Sequence, residues 1–211
     1  MRIPIAHQGY PFIGLGLMAT ALFVLLGYTP GWVIFGMLTV FVVAFFRDPE
    51  RQPAGGDKTL LAPADGKIIL IEEKEMSPFS SARTIKISIF MSVFNCHVNR
   101  VPQKGRVEKI VYRPGSFYSA DQSRASSENE QNALLLKTDD EQEISIIQVA
   151  GLIARRIVCW VKPGQKVARG ERFGLIRFGS RVDLYLPPAV RLRVQRGDKV
   201  KGGLTIIGTY D

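Results

Sequence analysis

The chain has 211 residues, which is room for one domain of ordinary size with an appendage. Its 28 Lys and Arg residues outnumber 19 Asp and Glu residues, and a net charge of +9 attracts a chain to nucleic acid or to an anionic lipid surface. The sequence lacks a Lys/Arg-rich helix, a Cys/His finger and an aromatic RNA-binding signature, so it argues against nucleic acid and favours a membrane.

The N-terminal segment is apolar, with no Asp, Glu, Lys or Arg in residues 3–46. Two almost wholly apolar runs, 12–26 and 32–46, flank residues 27–31, Gly-Tyr-Thr-Pro-Gly, where proline and glycine break a helix. Each run would be roughly 22 Å long as a helix, which is short against a hydrocarbon core of about 30 Å. Residues 1–52 are therefore predicted to form an apolar helical hairpin and its junction, which dips into a membrane or crosses it as two thin spans.

A cleaved signal peptide is the competing interpretation of this segment. Arg2 is the only charge at its start, the apolar stretch is too long, and no small-x-small cleavage site precedes Gly31. Both ends of a hairpin lie on one side of the membrane, and Arg47, Arg51 and Lys58 favour the cytoplasmic side. We therefore expect a protein of the cell membrane whose main domain lies at the cytoplasmic face.

Beyond a linker at residues 53–57, the pattern changes from continuous apolar to alternating. No long amphipathic helix competes with the alternation, so residues 53–211 are predicted to form a mainly β domain, a compact antiparallel sandwich or barrel. Cys96 and Cys159 lack metal-ligand spacing and are expected to be reduced thiols in a protein without a metal. The predicted strands are 67–71, 84–90, 106–112, 133–137, 144–149, 157–161, 173–176, 182–186, 191–194 and 204–207.

Two polar residues stand out among these strands. Asp65 precedes a glycine, and by itself this pair indicates only a tight turn. His97 follows a predicted strand, and its neighbours Asn95 and Arg100 provide a polar setting suited to a functional imidazole. The other histidine, His7, precedes the apolar segment and indicates nothing beyond a surface or interface position.

A short motif occurs twice in the C-terminal third. Residues 164–170 and 197–203 share Gly-x-Lys-Val-x-x-Gly, which predicts a turn, a short strand and another turn. The motif is similar to the hairpins of lipoyl and biotinyl carrier domains, and residues 64–68 resemble their opening strand. Two copies are too few for a solenoid, so they predict a pseudo-symmetric β fold with lipoyl-like hairpin units, joined by the segment that contains Ser180.

The Gly179-Ser180 bond lies between two strand-like runs. By itself it reads as a bulge or turn. Glycine also leaves its carbonyl sterically open and permits backbone angles that bring the next hydroxyl onto the carbonyl carbon, which allows an N-to-O acyl shift. Elimination of the resulting ester would convert the serine into dehydroalanine and then into an N-terminal pyruvoyl group.

Three segments, 61–68, 90–102 and 171–187, together resemble the phosphatidylserine decarboxylases, in particular their short bacterial and archaeal form. The resemblance covers nearly everything from Phe45 onward. It implies a proenzyme that cleaves itself between Gly179 and Ser180.

The resemblance also implies roles for three residues. Asp65 would orient His97 and stabilise its cation, while His97 takes the proton of Ser180 as the hydroxyl attacks the Gly179 carbonyl. In turnover the pyruvoyl group from Ser180 would form a Schiff base with the substrate amine, and His97 would act as general acid. Asn95, Arg100 and Glu130 would contribute to substrate binding.

In this interpretation, a large chain of residues 1–179 and a small chain of residues 180–211 form a heterodimer, and further association of heterodimers stays open. The enzyme would decarboxylate phosphatidylserine in an anionic membrane to phosphatidylethanolamine, a step of phospholipid biosynthesis. Its only cofactor would be the pyruvoyl group, without metal or pyridoxal phosphate.

The chain departs from the longer bacterial members at several positions. Arg100 stands where they carry a second histidine, and Phe178 and Arg181 flank the bond where they have Leu-Gly-Ser-Thr. The polar segment 119–132 alone predicts a solvated loop, but it resembles their Glu-Asn-Glu-Arg segment, with Gln131 in place of arginine. We therefore expect this loop near the mouth of the active site.

Two alternatives belong to other functional classes. A membrane-tethered lipoyl-like adaptor or carrier without catalysis would explain the hairpin, the strands and the repeated motif, but not His97 or Gly179-Ser180. An intact serine hydrolase would use the same residues, yet Ser180 lacks a Gly-x-Ser-x-Gly elbow.

Overall fold

The computed structural model of the chain describes residues 3–122, 124–152, 156–177 and 179–210, with residues 74, 80 and 81 described by their backbone alone. It divides the chain into two compact units, Met1–Glu50 and Arg51–Asp211.

The first unit is the predicted helical hairpin. A 3-10 turn at His7–Gly9 leads into helix α1 (Tyr10–Leu25), and helix α2 follows at Thr29–Phe45. The first helix ends in a Schellman motif, because Gly27 has a φ of +66° and Tyr28 N donates to Phe23 O at 3.0 Å. Proline in the first turn of each helix fits there without losing a hydrogen bond.

The two helices pack through small residues and leave their other faces apolar and exposed. Gly16 lies against Thr39, and Gly31 lies against Phe23, where a larger side chain would clash. Residues His7–Leu25 are long and apolar enough to cross a membrane by length and composition, whereas Thr29–Phe45 is apolar but shorter. Outward-facing apolar side chains include Leu15, Leu17, Met18, Leu22, Ile34, Met37 and Val40.

The second unit is mainly β, as predicted. Its one described helix is α3 (Ala125–Glu128). Its strands are β1 (Thr59–Leu61), β2 (Gly66–Ser77), β3 (Ser80–Met91), β4 (Val98–Arg100), β5 (Gly105–Arg113), β6 (Gln131–Thr138), β7 (Glu143–Ala150), β8 (Ile157–Cys159), β9 (Lys166–Val167), β10 (Arg172–Ile176), β11 (Ser180–Leu186), β12 (Arg191–Leu192), β13 (Lys199–Val200) and β14 (Ile206–Thr209).

Some strand boundaries differ from the predicted ones. The strand predicted at 204–207 begins only at Ile206, because Thr205 N donates to Lys201 O at 2.9 Å and its hydroxyl accepts from Lys201 N, which closes a turn. The strands predicted at 157–161 and 191–194 end early, at Cys159 and Leu192.

An antiparallel sheet of eight strands forms the body of this unit, in the order β13-β2-β3-β11-β7-β6-β5-β9. Two smaller sheets, β1-β14-β12 and β4-β10-β8, complete it. The main core cluster draws its apolar side chains from all three sheets. Burial of this shared face excludes water and stabilises the curled sheets.

The two edges of the large sheet are built alike. Residues 66–67 pair with 199–200 at one edge, and residues 105–106 pair with 166–167 at the other. These edge strands are the repeated Gly-x-Lys-Val-x-x-Gly segments, and both copies begin and end with a glycine of positive φ. The predicted pseudo-symmetry is therefore present, and β11 and β7 are the central strands where the two halves meet.

Strand β11 is buried on both faces. Val182, Leu184 and Leu186 point into the main core, and the alternation of a strand places Ser180 on the same face. Arg181 and Asp183 point to the opposite face. The strand thereby holds a serine inside the domain at its first residue.

Candidate active site

Ser180 lies at one end of the central sheet, where three strands meet. It pairs with Met91, the last residue of β3, and with Ala150, the last residue of β7. Its side chain is fully buried. Gly179 precedes it with a φ of +55°, a conformation that glycine adopts without strain, so the chain enters β11 through a sharp turn at the predicted cleavage bond.

A line of buried polar side chains leads to the serine. The Ser180 hydroxyl donates to Met91 Sδ at 3.5 Å, and Asn99 Nδ2 approaches the same sulfur at 3.7 Å. Asn99 Oδ1 accepts from Gln148 Nε2 at 2.8 Å, and Gln148 Oε1 accepts from Asn132 Nδ2 at 2.9 Å. Because buried amides are costly unless they are hydrogen-bonded, this line fixes their orientation. No sequence motif indicated a role for Met91, Gln148 or Asn132 individually.

His97 is fully buried in the segment between β3 and β4. Its Nδ1 lies 3.0 Å from Asn95 O, and because a carbonyl only accepts, Nδ1 carries the proton. Nε2 of the neutral ring is then the basic nitrogen, which suits a general base. Asn95 also shapes the turn before the ring, since its Oδ1 accepts from both N and Oγ of Ser92 at 2.8 Å.

The carboxylate of Asp65 is held by Arg51. The guanidinium donates to Oδ1 at 2.5 Å and to Oδ2 at 2.8 Å, and Gly202 N donates to Oδ1 at 2.8 Å. From the sequence, Arg51 was expected only to add positive charge after the apolar segment.

Asp65, His97 and Ser180 are not joined by hydrogen bonds to one another in the described part of the chain. The catalytic roles given to them above therefore stay predictions. Hydrogen bonds between catalytic groups often form only in the reacting complex.

Of the residues predicted to contact substrate, Arg100 and Glu130 are buried and Asn95 is half-buried, and all three engage the backbone. Arg100 Nη1 donates to Gly170 O at 2.9 Å, and its Cδ lies beside Gly203. Glu130 Oε1 accepts from Ile157 N at 3.4 Å. Partial loss of hydration and, next, the charge of Glu130 raise the pKa of Tyr112, an exposed side chain, above its ordinary value. Substrate binding by Asn95, Arg100 and Glu130 stays a prediction.

Within the predicted loop 119–132, the described residues Ala120 and Asn129 lie beside the end of the sheet that carries Ser180. Asn129 Nδ2 donates to Ala150 O at 2.7 Å and to Tyr118 O at 2.8 Å, and its Oδ1 accepts from Tyr118 N at 2.9 Å. Arg181 reaches the same loop, with Nη1 donating to Ala120 O at 2.9 Å. From the sequence, Asn129 was expected only as part of the loop 119–132, and Arg181 only as a departure from the longer members beside the cleavage bond.

The two cysteines do not form a disulfide with each other. Cys96 is buried and Cys159 is half-buried. Burial raises the pKa of the Cys159 thiol, and hydrogen bonds with Val161 and Asn132 oppose that rise in part. In the described ranges no three His, Cys, Asp or Glu residues cluster as a metal site would require.

Comparison with known proteins gives a consistent result. The family model described as "Phosphatidylserine decarboxylase" matches residues 38–208. The chain is 49% identical over 207 residues to the "Phosphatidylserine decarboxylase proenzyme" of Desulfotalea psychrophila, with 98% of this chain and 97% of the relative covered. Proteins of the same name from Syntrophus aciditrophicus and Ralstonia nicotianae are 48% and 47% identical over 208 residues, covering 98% of this chain and 97% and 96% of the relatives. The chain belongs to the phosphatidylserine decarboxylase family.

Proposed function

We propose that this protein decarboxylates phosphatidylserine to phosphatidylethanolamine, with a pyruvoyl group formed from Ser180 by self-cleavage. The observation that carries the proposal is the serine itself, buried at the start of the central strand directly after a glycine of positive φ. Family membership supports the reaction, and the name proenzyme, given to the relatives, supports processing.

Self-cleavage would begin with attack of Ser180 Oγ on the Gly179 carbonyl carbon. His97 Nε2 would accept the hydroxyl proton and return a proton to the departing Ser180 nitrogen, so that an ester replaces the peptide bond. Loss of the α-proton would then expel the Gly179 carboxylate and leave dehydroalanine. Addition of water and release of ammonia would complete the pyruvoyl group at the start of the small chain.

The residues around Ser180 fit such a group. The side chain lies inside the domain among Met91, Val182 and the amides of Asn99 and Gln148, where bulk water has little access. When formed, the pyruvoyl carbonyl captures the substrate amine and takes up the electrons released as carbon dioxide departs. His97 would deliver the proton that replaces the carboxyl group, and Asp65 would assist it electrostatically.

Two features support a substrate held in a membrane. The apolar hairpin has a stretch, His7–Leu25, that is apolar enough to enter a bilayer. Nearly all of the net charge of +9 falls beyond residue 46, because Arg2 is the only charged residue before Arg47. We propose that the hairpin holds the enzyme at the cytoplasmic face, where a basic domain meets anionic headgroups.

Electrophoresis and mass spectrometry of the purified protein test the proposal. We expect two pieces, residues 1–179 and 180–211, with the small piece blocked at its N-terminus and lighter by one ammonia than a serine-started peptide. Ser180→Ala should stay whole and release no carbon dioxide from phosphatidylserine. Ser145→Ala, at another buried strand serine, should cleave and turn over normally.

The other functional classes give different results in the same experiment. A wild-type chain that stays whole and binds vesicles would support the adaptor. Full decarboxylase activity of the Ser180→Ala variant would refute the pyruvoyl mechanism.

A further inference from the structure

Gly151 lies directly after β7, beside the bond that would be cleaved. A Cβ built on it would fall 3.0 Å from the carbonyl carbon of Gly179, closer still to the carbonyl oxygen, and 3.3 Å from the Cβ of Ala120. Backbone atoms that lead directly into a paired strand cannot move aside as a flexible side chain can. Gly151 is not among the described glycines with positive φ, so glycine is required here for space and not for its backbone angles.

One Cα hydrogen of Gly151 also points toward the bond that would be cleaved. An ideal Cβ occupies the place of one Cα hydrogen, so this hydrogen points at the Gly179 carbonyl oxygen. Such a C–H group is a weak donor to a carbonyl. The same oxygen would gain negative charge when the carbonyl carbon becomes tetrahedral, and a contact already in place requires no rearrangement at that moment.

Asn129 and Glu130 fix the strand end that carries Gly151. Asn129 is fully buried and donates to Ala150 O, the carbonyl of the Ala150–Gly151 peptide group. Glu130 O accepts from Ala150 N at 3.0 Å. Both backbone groups of Ala150 are therefore held, and Gly151 follows with little freedom.

Arg181 fixes Ala120, the other residue that a Cβ on Gly151 would contact. It follows Ser180 in the chain, and its Nε and Nη2 lie 2.8 and 3.0 Å from the two carboxylate oxygens of Asp183. Its Nη1 donates to Ala120 O, and Nη2 donates to Ser126 Oγ at 2.5 Å. The strand that begins with Ser180 thus holds the loop that packs beside Gly151.

We propose that Gly151 is a positioning residue for self-cleavage, held by Asn129 and Arg181, and that it sets the Gly179 carbonyl in the orientation that the Ser180 hydroxyl attacks. This inference rests on the proposed self-cleavage. It predicts that the acyl shift is the step that needs Gly151. Turnover does not need it, because the Gly179 carbonyl is released once the bond has broken.

The test compares Gly151→Ala with Gly56→Ala, a glycine that has no heavy atom within 4 Å of the added Cβ. Cleavage of the full chain is followed by electrophoresis, and decarboxylation is measured per pyruvoyl group. We expect Gly56→Ala to cleave like the wild type and Gly151→Ala to cleave at least tenfold more slowly. Its matured fraction should keep the wild-type kcat and KM, whereas a general loss of structure would lower turnover as well.

Hydroxylamine identifies the affected step, since it cleaves an accumulated ester. It should not restore scission in Gly151→Ala, because the acyl shift itself is slow there; rapid scission by hydroxylamine would overturn the inference. Cleavage of a folded Gly151→Ala chain at the wild-type rate would overturn it too, while an uncleaved wild type would instead refute the proposed function.

A second variant decides the case in which Gly151→Ala does not fold. Arg181→Lys keeps a cation beside Asp183 but cannot bond Asp183, Ala120 and Ser126 together. We expect it to cleave several-fold more slowly with unchanged kcat per pyruvoyl group. If Gly151→Ala is unfolded and Arg181→Lys cleaves at the wild-type rate, the inference fails.

Discussion

The carboxylate of Asp65 and the guanidinium of Arg51 form an ion pair that is almost wholly withdrawn from water, with side chains 11% and 8% exposed. Arg51 Nη1 also donates to Gly202 O at 2.6 Å, and Gly202 N donates to Asp65. A buried pair of this kind contributes little against an apolar replacement, but removal of one partner leaves an uncompensated charge. The turn that holds Asp65 therefore depends on a residue at the very start of the second unit.

Replacement of Arg51 tests this dependence. Arg51→Met should lower the free energy of unfolding by about 3 kcal/mol, because Asp65 would stay buried with one backbone donor. Arg51→Lys should lower the free energy of unfolding by less, since lysine keeps the positive charge and gives up only the two parallel hydrogen bonds to the carboxylate. Chemical denaturation in detergent measures both, with Arg106→Met at an exposed position of β5 as the control. Equal stability of Arg51→Met and the wild type would contradict the argument.

The catalytic roles of Ser180, His97 and Asp65 stay predictions. At this scale the sequence indicated these residues only through the resemblance to a known family, because each segment alone indicates a turn, a bulge or a polar strand end. It could not indicate Arg51 or Gly151. Their importance comes from contacts with Asp65 and with the Gly179 carbonyl, which only the fold creates. The Glu-Asn-Glu segment indicated that Asn129 lies near the site. Its hydrogen bond to Ala150 could not be predicted, because that contact depends on where β7 ends in the folded sheet.

At the scale of elements, the two halves of the large sheet share more than the repeated Gly-x-Lys-Val-x-x-Gly motif. Gly203 N donates to Ala62 O and Gly170 N donates to Val101 O, both at 2.8 Å. These bonds align residues 62–66 with residues 101–105, two segments that share only Pro at their second position and Gly at their last. Asp65 of the candidate site is thereby equivalent to Lys104 in the other half.

The equivalent glycines Gly66 and Gly105 provide a matched pair of variants. A Cβ on either would lie 2.9 Å from the carbonyl carbon of Phe90 or Lys137 on the paired strand, and closer to its oxygen. Alanine at either position should cost about 2 kcal/mol or more by overpacking, measured by thermal unfolding, with Gly56→Ala as control. Only Gly66→Ala should also slow self-cleavage, because it displaces Asp65. Equal slowing by both variants would contradict a special role of that half.

For the whole molecule, the apolar hairpin and the long strands could be predicted because each carries its own periodicity. The strand order could not, since pairing of β11 with both β3 and β7 joins segments far apart in the chain. The two-residue strands β9 and β13 are too short for a periodic signal, and the repeated motif alone indicated them, whereas β12 is the first half of the strand predicted at 191–194.

The exposed apolar face of the hairpin predicts how the protein meets lipid. A variant with Leu15→Gln, Leu22→Gln and Val40→Gln should lose most of its co-sedimentation with vesicles that contain anionic phospholipid, because each change removes apolar area from the bilayer contact. Self-cleavage should continue, since these residues belong to the first unit. The control carries Met76→Gln and Val111→Gln, two exposed apolar residues of the second unit. Unchanged sedimentation of the triple variant would argue against the hairpin as the anchor.

Strand β11 lies between two neighbours along its length, and the proposed scission would fall just before its first residue. The 32-residue fragment would then remain in place without a covalent link, because β11 is hydrogen-bonded to β3 on one side and to β7 on the other. Its release would demand that the whole sheet come apart, and recombination would then depend on protein concentration. The mature enzyme would owe its architecture to a continuous precursor and would not regain it readily after denaturation.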